Sequence, residues 1–146
     1  MAEFRDLGLR TLMNEHVVIE HNGAGLVIAG VNDFSANQID PTTGSDPKAA
    51  LSGSQKDFPK ILLAHQPRTA PIAAELGYDL QLSGHTHGGQ FWPWNYFVRM
   101  QQPYTAGLHC LGDLWVYTSR GTGYWGPPKR FGAPSEMTQI TLSAVA

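Results

Sequence analysis

The sequence predicts an α/β (α+β) fold, built as a mixed sheet with few helices. Three observations lead to this prediction: short apolar runs of strand length, a strand, helix, strand unit near the middle, and 16 glycines with 10 prolines among 146 residues. Strand-sized runs separated by glycine and proline are typical of sheets with many loops. Because 42% of the residues are hydrophobic, the chain is too apolar to be disordered.

The first third of the chain predicts a helix end followed by a hairpin. Residues 2–7 are typical of the last turn of a helix that stops at Gly8, because glycine accepts the left-handed conformation that closes helices. The β-branched runs 16–20 and 26–31 flank segment 21–25, and its Asn-Gly pair is typical of a tight turn. This region therefore predicts two antiparallel strands.

The polar stretch 32–59 predicts one short helix near residues 47–51. Asp46 is the expected N-cap and Pro47 the first helical residue, since proline lacks the N–H that a first turn leaves unpaired.

The strand, helix, strand unit follows. Residues 60–64 (KILLA) form an apolar run typical of a strand buried on both faces, and residues 80–83 (LQLS) predict a second strand. Between them, residues 69–76 predict a helix that ends at Gly77. Ligands usually bind beyond the carboxyl ends of such strands, and a histidine lies close after each strand here.

The last third predicts an aromatic loop and two strands. The chain after Gly89 is loop-like and rich in aromatic residues. Residues 114–119 and 137–142 then predict strands, separated by the proline-containing segment 120–134.

Charge, length and cysteine content exclude several classes of protein. The net charge is −2 and no basic run occurs, so a nucleic-acid binding surface is not expected. The apolar runs fall far short of the roughly 20 residues that span a bilayer, and the N-terminus lacks the features of a secretory signal. With the single cysteine Cys110, these features favour a soluble protein of a reducing compartment, by default the cytoplasm.

The chemically informative segment is residues 83–90 (SGHTHGGQ), preceded by His65 in an AHQP sequence. In extended backbone His85 and His87 face the same side, so their imidazoles are suited to metal binding. His65, which leaves a neighbouring strand, adds a third nitrogen. The chance occurrence of a His-x-His pair makes the spacing alone weak support, so the prediction depends on the strand ends and the glycines around it.

Residues around these histidines are candidates for a substrate pocket. Gly84, Gly88 and Gly89 allow the backbone to approach a ligand closely, and Gln90 completes the same loop. Aromatic residues such as Trp92 are suited to wall a pocket, although an aromatic core or interface is an equal interpretation. The guanidinium of Arg120 or Arg130 is suited to phosphate, although solvated surface arginine is the commoner case. The candidates retained are Gly84, Gly88, Gly89, Gln90, Trp92 and Arg120.

These motifs together resemble the calcineurin-like metallophosphoesterases, in particular small bacterial members whose final third is similar to this sequence. The GHTHGGQ loop after an AHQP loop is the most specific combination. The matching segments are 12–17 (LMNEHV), 26–33 (LVIAGVND), 61–67 (ILLAHQP), 82–90 (LSGHTHGGQ), 116–123 (VYTSRGTG) and 130–142 (RFGAPSEMTQITL).

The resemblance implies half of a four-layer αββα sandwich, with residues 1–146 as the C-terminal part of the domain and the N-terminal half absent. It implies metal-dependent hydrolysis of phosphate esters by a metal-bridging hydroxide. His65 and His85 correspond to ligands of one metal and His87 to a ligand of the other. The family uses two divalent ions, typically Mn, Fe or Zn, and at most one is expected here.

The family's Asp-x-His, bridging aspartate and Asn-His motifs have no counterpart in this sequence, so no catalytic residue is assigned. The chain is therefore expected to be inactive alone. Related proteins often carry N-terminal membrane anchors, which would precede this segment.

Two further interpretations stay open. The chain could be a non-catalytic interaction module, possible partners being a second copy or a separate N-terminal half, because half a sandwich exposes an apolar sheet face. A simple metal-sequestering protein is the third interpretation, which leaves the hairpin and C-terminal segments unexplained. Substrate and metal identity cannot be read from these residues.

Overall fold

The computed structural model describes residues 2–143, which form a six-stranded mixed sheet. Its strands are β1 (Glu15–His21), β2 (Ala24–Gly30), β3 (Lys60–Leu63), β4 (Leu80–Ser83), β5 (Gly107–Leu111) and β6 (Leu114–Thr118). Across the sheet their order is β1, β2, β3, β4, β6, β5. Strands β2, β3, β4 and β6 are parallel, and β1 and β5 pair antiparallel at the two edges. The predicted α/β fold with a mixed sheet and few helices is confirmed.

Short helices connect the strands: α1 (Ala2–Asp6), α2 (Pro47–Ala50), α3 (Ala70–Glu75) and α4 (Trp94–Gln101). Helix α1 is followed by Gly8 at φ +75°, as the sequence predicts. At α2 the carboxylate of Asp46 accepts a hydrogen bond of 2.8 Å from the N–H of Ala49, so the predicted N-cap is confirmed. None of the helices within the described residues is long and apolar enough to cross a bilayer.

The hairpin and the central unit agree with the sequence prediction. Strands β1 and β2 are joined by Asn22 and Gly23, both at positive φ, as a tight hairpin turn requires. Strand β3, helix α3 and strand β4 form the predicted strand, helix, strand unit with parallel strands.

Two elements of the last third differ from the prediction. Segment 94–101, predicted as part of an aromatic loop, is helix α4, and segment 107–111 is strand β5. Helix α4 carries Trp94, Phe97 and Val98 at helical spacing, but it is only 8 residues long and has no buried residue, so its pattern is easily taken for an aromatic loop. Strand β5 alternates between exposed and half-buried residues and contains His109 and Cys110, which makes its strand pattern weak.

The prediction of a strand over residues 137–142 is wrong, because this segment has no regular secondary structure. A strand needs a free neighbouring edge, and both edges of β6 are occupied by β4 and β5. The segment instead contacts β6 through a side chain: the hydroxyl oxygens of Tyr117 and Thr138 are 2.5 Å apart.

The core lies on one face of the sheet. Helices α2 and α3 cover that face, and Leu62, Tyr78 and Val116 are among the fully buried side chains of this hydrophobic core. The opposite face is apolar but open: Ile19, Leu63, Leu108 and Trp115 are each between 41% and 58% exposed. By strand register these four residues point to the same side of the sheet.

Candidate functional site

The candidate site lies at the edge of the sheet where the parallel strands end. Because β2, β3, β4 and β6 run in one direction, the residues that follow them meet at this edge. These residues include Asp33 after β2, His65 after β3, His85 after β4 and Arg120 after β6. The backbone is tied across the edge, since the N–H of Gly84 donates to the carbonyl of His65 at 3.0 Å.

The imidazoles of His65 and His85 lie against each other. Nε2 of His65 is 3.1 Å from Nδ1 of His85, and the rings are nearly perpendicular, at 82°. Both residues are reached by solvent, although the imidazole of His85 is also partly buried. Two nitrogen ligands of one tetrahedral zinc ion, each about 2.0–2.1 Å from it, lie roughly 3.3 Å apart. The two nitrogens share a hydrogen bond in this structure, and their spacing also fits two adjacent ligands of one transition-metal ion.

The protonation of His85 also favours metal binding. Partial burial is the main cause that lowers the pKa of His85 below the ordinary value, and the neighbouring His65 lowers it further. A lowered pKa keeps the imidazole neutral to lower pH, and the neutral ring is the form that binds metals.

His87 does not join this pair. Its Nδ1 accepts a hydrogen bond from Nη2 of Arg130 at 2.8 Å, and the same guanidinium donates to the carbonyls of Arg120 and Ala133. Partial burial and Arg130 lower the pKa of His87. Within residues 2–143, no three His, Cys, Asp or Glu side chains are grouped closely enough to hold one metal ion.

The loop that carries these histidines has unusual backbone geometry. His85, His87 and Gln90 all have positive φ, at 67°, 51° and 56°, which residues with side chains seldom adopt. Strained conformations of this kind cluster at functional sites. Gly89 is required sterically, because a Cβ there would lie 2.5 Å from the backbone Cα of Asn95.

A cavity of about 400 Å³ opens beside the histidines. This size lies within the range of small-molecule sites. Its lining combines the histidine loops with side chains from helix α4, from the residue that follows this helix, and from the loop at residue 125. The lining residues are His65, His85, Thr86, His87, Trp94, Val98, Gln101, Gln102 and Trp125. Trp94 and Trp125 contact each other edge to face, with ring centroids 6.2 Å apart. Aromatic and apolar side chains thus line the part of the cavity beside the histidines.

The predicted pocket candidates do not line this cavity. Gln90 is buried and its side chain bonds the backbone of Trp125 through both amide atoms, at 2.7 Å each. Trp92 is 61% exposed, and Nε of Arg120 pairs with Glu136 at 3.2 Å.

The three glycine candidates differ in their surroundings. Gly84 lines a separate groove on the open sheet face, together with His65, Tyr117 and Ile140. Gly88 and Gly89 form the turn over His87–Gly89, and Gly88 packs against the side chain of Arg120.

Sequence reasoning missed a chain of buried polar side chains that leads to the cavity. Nε2 of Gln66 donates to Oδ1 of Asp33 at 3.0 Å and to the hydroxyl of Ser35 at 2.8 Å. Nε2 of Gln102 in turn donates to Oε1 of Gln66 at 3.3 Å. Gln66 adjoins His65 in the sequence, which is the only local signal that could have drawn attention to it.

Comparisons with known proteins find relatives over nearly the whole chain. It is 41% identical to the transmembrane protein with metallophosphoesterase domain from Bos taurus, over 98% of this chain and 34% of that protein. It is 41% identical to an uncharacterized metallophosphoesterase from Helicobacter pylori strain J99, over 93% of this chain and 36% of that protein. It is 32% identical to the phosphodiesterase YaeI from Escherichia coli, over 82% of this chain and 42% of that protein.

The chain thus spans about a third of the length of the first relatives it matches. No protein-family model matches the chain, and no solved structure matches it.

Proposed function

The chain belongs to the calcineurin-like metallophosphoesterase family, and on that premise we propose that the sheet edge that carries His65 and His85 takes part in the hydrolysis of phosphate esters. The observation that carries this proposal is the contact between His65 and His85, 3.1 Å apart at the ends of two parallel strands. The contact joins two residues 20 positions apart in the sequence, in the loops that carry the family motifs.

In this proposal His65 and His85 hold one divalent transition-metal ion, such as Mn, Fe or Zn. When bound, the ion would polarise the phosphoryl group and lower the pKa of a bound water. The residues of the chain do the positioning: the bond from Gly84 to His65 fixes the two loops relative to each other. Arg130 holds the His87 ring beside the cavity, where it contacts the ligand rather than the ion held by the pair.

We further propose that residues 1–146 correspond to the C-terminal part of the family domain. Without further protein side chains to bind the metal ions, they would hydrolyse phosphate esters poorly. Two neutral imidazoles leave the charge of a cation uncompensated. A two-metal site needs carboxylates that bridge the ions and offset their charge, and no such group stands with the pair in the described residues.

A phosphatase assay tests the proposed function. The chain is incubated with p-nitrophenyl phosphate and Mn²⁺, alongside His65→Ala, His85→Ala and the hairpin variant His21→Ala as a matched control on an exposed histidine. We expect slow hydrolysis that requires the metal and falls to background in the first two variants only. Hydrolysis that is unaffected by both variants would contradict the proposed site. Turnover on the order of 1 s⁻¹ or faster would contradict the proposed poor activity of the isolated chain.

A second candidate function is self-association through the open sheet face. The supporting observation is the row of exposed apolar side chains on that face, including Leu63 and Trp115. Contiguous exposed apolar surface of this kind marks interaction sites. Light scattering at increasing concentration should show a dimer of the native chain and a monomer of Trp115→Glu, whereas a monomer at all concentrations would exclude this function.

A further inference from the structure

Five exposed aromatic side chains form a patch beside the histidine cavity. They belong to helix α4, to the residues just before it and to the loop after β6, and they are Trp92, Trp94, Phe97, Trp125 and Phe131. Each of them is between 40% and 69% exposed, and three of the four tryptophans of the chain are among them. Large aromatic side chains grouped in water on a folded chain indicate an interaction surface.

Contacts between its members make this aromatic patch continuous. The ring of Trp94 lies 5.3 Å from that of Phe97 and 6.2 Å from that of Trp125, measured between ring centroids. The N–H of Trp92 donates to the carbonyl of Phe131 at 3.1 Å, which joins the residues before α4 to the loop after β6. Because Trp94 and Trp125 also line the cavity, the patch adjoins the histidines.

The buried Gln90 anchors the loop that carries part of the patch. Its side chain bonds the backbone of Trp125 through both amide atoms, at 2.7 Å each. Its carbonyl accepts from the N–H of Phe131 at 3.1 Å. The backbone beneath these rings is thus tied to the histidine loop.

The part of the chain that carries the patch is basic. Segment 84–135 contains four basic residues and one acidic residue, although the whole chain has a net charge of −2. The acidic residue is Asp113, in the turn between β5 and β6. This turn precedes β6, so it lies at the sheet edge opposite the histidines. No acidic side chain of this segment therefore adjoins the patch.

Two of the four cations are exposed beside the aromatic rings. Arg99 is the one charged residue of α4, and Nζ of Lys129 lies 4.9 Å from the ring centroid of Phe91. The other two, Arg120 and Arg130, are engaged in an ion pair and in hydrogen bonds within the chain. The surface thus combines aromatic rings with two exposed positive charges.

We propose that the aromatic patch binds the surface of a bilayer that contains anionic lipids. Tryptophan concentrates at the boundary between water and membrane, because its ring is apolar and its N–H is polar. Anionic headgroups attract Lys129 and Arg99. A protein surface also accepts aromatic residues, but rings with cations and without acidic neighbours are typical of a segment that lies on a membrane. Membrane binding goes beyond the proposed function and needs no metal ion.

Vesicle binding tests the proposal. The native chain is mixed with vesicles of phosphatidylcholine alone, or of phosphatidylcholine and phosphatidylglycerol in equal parts, with EDTA present so that no metal ion contributes. Co-sedimentation measures the bound fraction, and tryptophan emission reports the surroundings of the rings. We expect emission to shift to shorter wavelength on the anionic vesicles. Binding to the neutral vesicles should be at least about 10-fold weaker, because each exposed cation contributes about 5-fold. No binding to the anionic vesicles, or equal binding to both kinds, would overturn the proposal.

Two tryptophans of similar exposure give matched variants. Trp125→Ala removes a ring of the patch and should weaken binding at least about 10-fold. Trp115→Ala removes a ring of the open sheet face and should bind as the native chain does. Native affinity in Trp125→Ala would overturn the proposal, and so would an equal or larger loss in Trp115→Ala.

Two exposed lysines test the contribution of charge. Lys129→Gln should weaken binding to the anionic vesicles about 5-fold, whereas Lys56→Gln, before β3, should leave it unchanged. An equal loss in both variants would show that overall charge rather than the patch attracts the chain to lipid, which overturns the proposal.

A protein partner is the alternative that light scattering identifies. A native dimer that binds neither kind of vesicle and becomes a monomer in Trp125→Ala would overturn the proposal in favour of an interface between two copies. Circular dichroism checks that the variants fold. If Trp125→Ala does not fold, the comparison of the two kinds of vesicle with the native chain decides the matter.

Discussion

Nη2 of Arg130 lies 2.8 Å from Nδ1 of His87. The guanidinium stays protonated and can only donate, so Nδ1 is the acceptor and a neutral His87 carries its proton on Nε2. The same guanidinium also donates to backbone carbonyls, including those of Arg120, Gly123 and Ala133. One side chain thus joins the histidine loop to the segment after β6.

Removal of this guanidinium should cost stability. Arg130→Ala leaves several half-buried carbonyls without a donor, and we expect a loss of roughly 2–4 kcal/mol in the free energy of unfolding. Urea denaturation measures it, with Arg99→Ala on the exposed side of helix α4 as the control. Equal losses in the two variants would show that the hydrogen bonds of Arg130 contribute little.

The turn over His87–Gly89 gives a second prediction. Gly89 and Gly53 have nearly the same φ, +79° and +78°, but a Cβ added at Gly53 would meet no atom within 4 Å, whereas one added at Gly89 would meet Asn95. Gly53→Ala should cost about 1 kcal/mol for the left-handed backbone. Gly89→Ala should cost about 2 kcal/mol more, because its Cβ collides with Asn95. Chemical denaturation of both variants measures the difference, and similar losses would mean that the loop moves freely away from Asn95.

Glu136 gives a prediction on pH. Its carboxylate accepts from the N–H of Arg120 at 2.9 Å and from the hydroxyl of Tyr117 at 3.0 Å. The backbone bond from Arg120 is the main cause that lowers the pKa of Glu136 below its ordinary value near 4.5. The folded state therefore favours the ionised form. The resulting stability is present above pH 4.5 and is lost as the pH falls through the lowered pKa of the folded state.

Glu136→Gln should accordingly destabilise the chain by about 1 kcal/mol at pH 7, since the ion pair with Arg120 is partly exposed. The difference from the native chain should shrink as the pH is lowered below 4.5. Denaturation curves between pH 7 and pH 3 measure it, with Glu20→Gln on β1 as an exposed control. A difference independent of pH would contradict the role given to the carboxylate.

The first two thirds of the fold could be predicted because their signals are local. The Asn22-Gly23 turn, the Asp46 cap and the stop at Gly77 each determine their element from a few neighbouring residues. The pair of His65 and His85 could be predicted for the same reason, since parallel strands with a short helix between them end side by side.

In the last third the predicted strand 114–119 is confirmed as β6, but the other elements could not be predicted because they depend on distant contacts. Helix α4 packs on the turn over His87–Gly89, and its short apolar stripe of Trp94, Phe97 and Val98 contains no buried residue. Residues 137–142 show a strand-like alternation, but no edge of β6 is free for them. The link between Gln66 and Gln102 joins residues 36 positions apart, so only the folded chain reveals it.

The binding of a metal ion by His65 and His85 is the central claim, and calorimetric titration with Zn²⁺ and Mn²⁺ tests it most directly. We predict one ion per chain and an affinity at least about 10-fold lower in His65→Ala and in His85→Ala, with His21→Ala unchanged. Binding that is unaltered in both site variants, or weakened equally in His21→Ala, would contradict the claim.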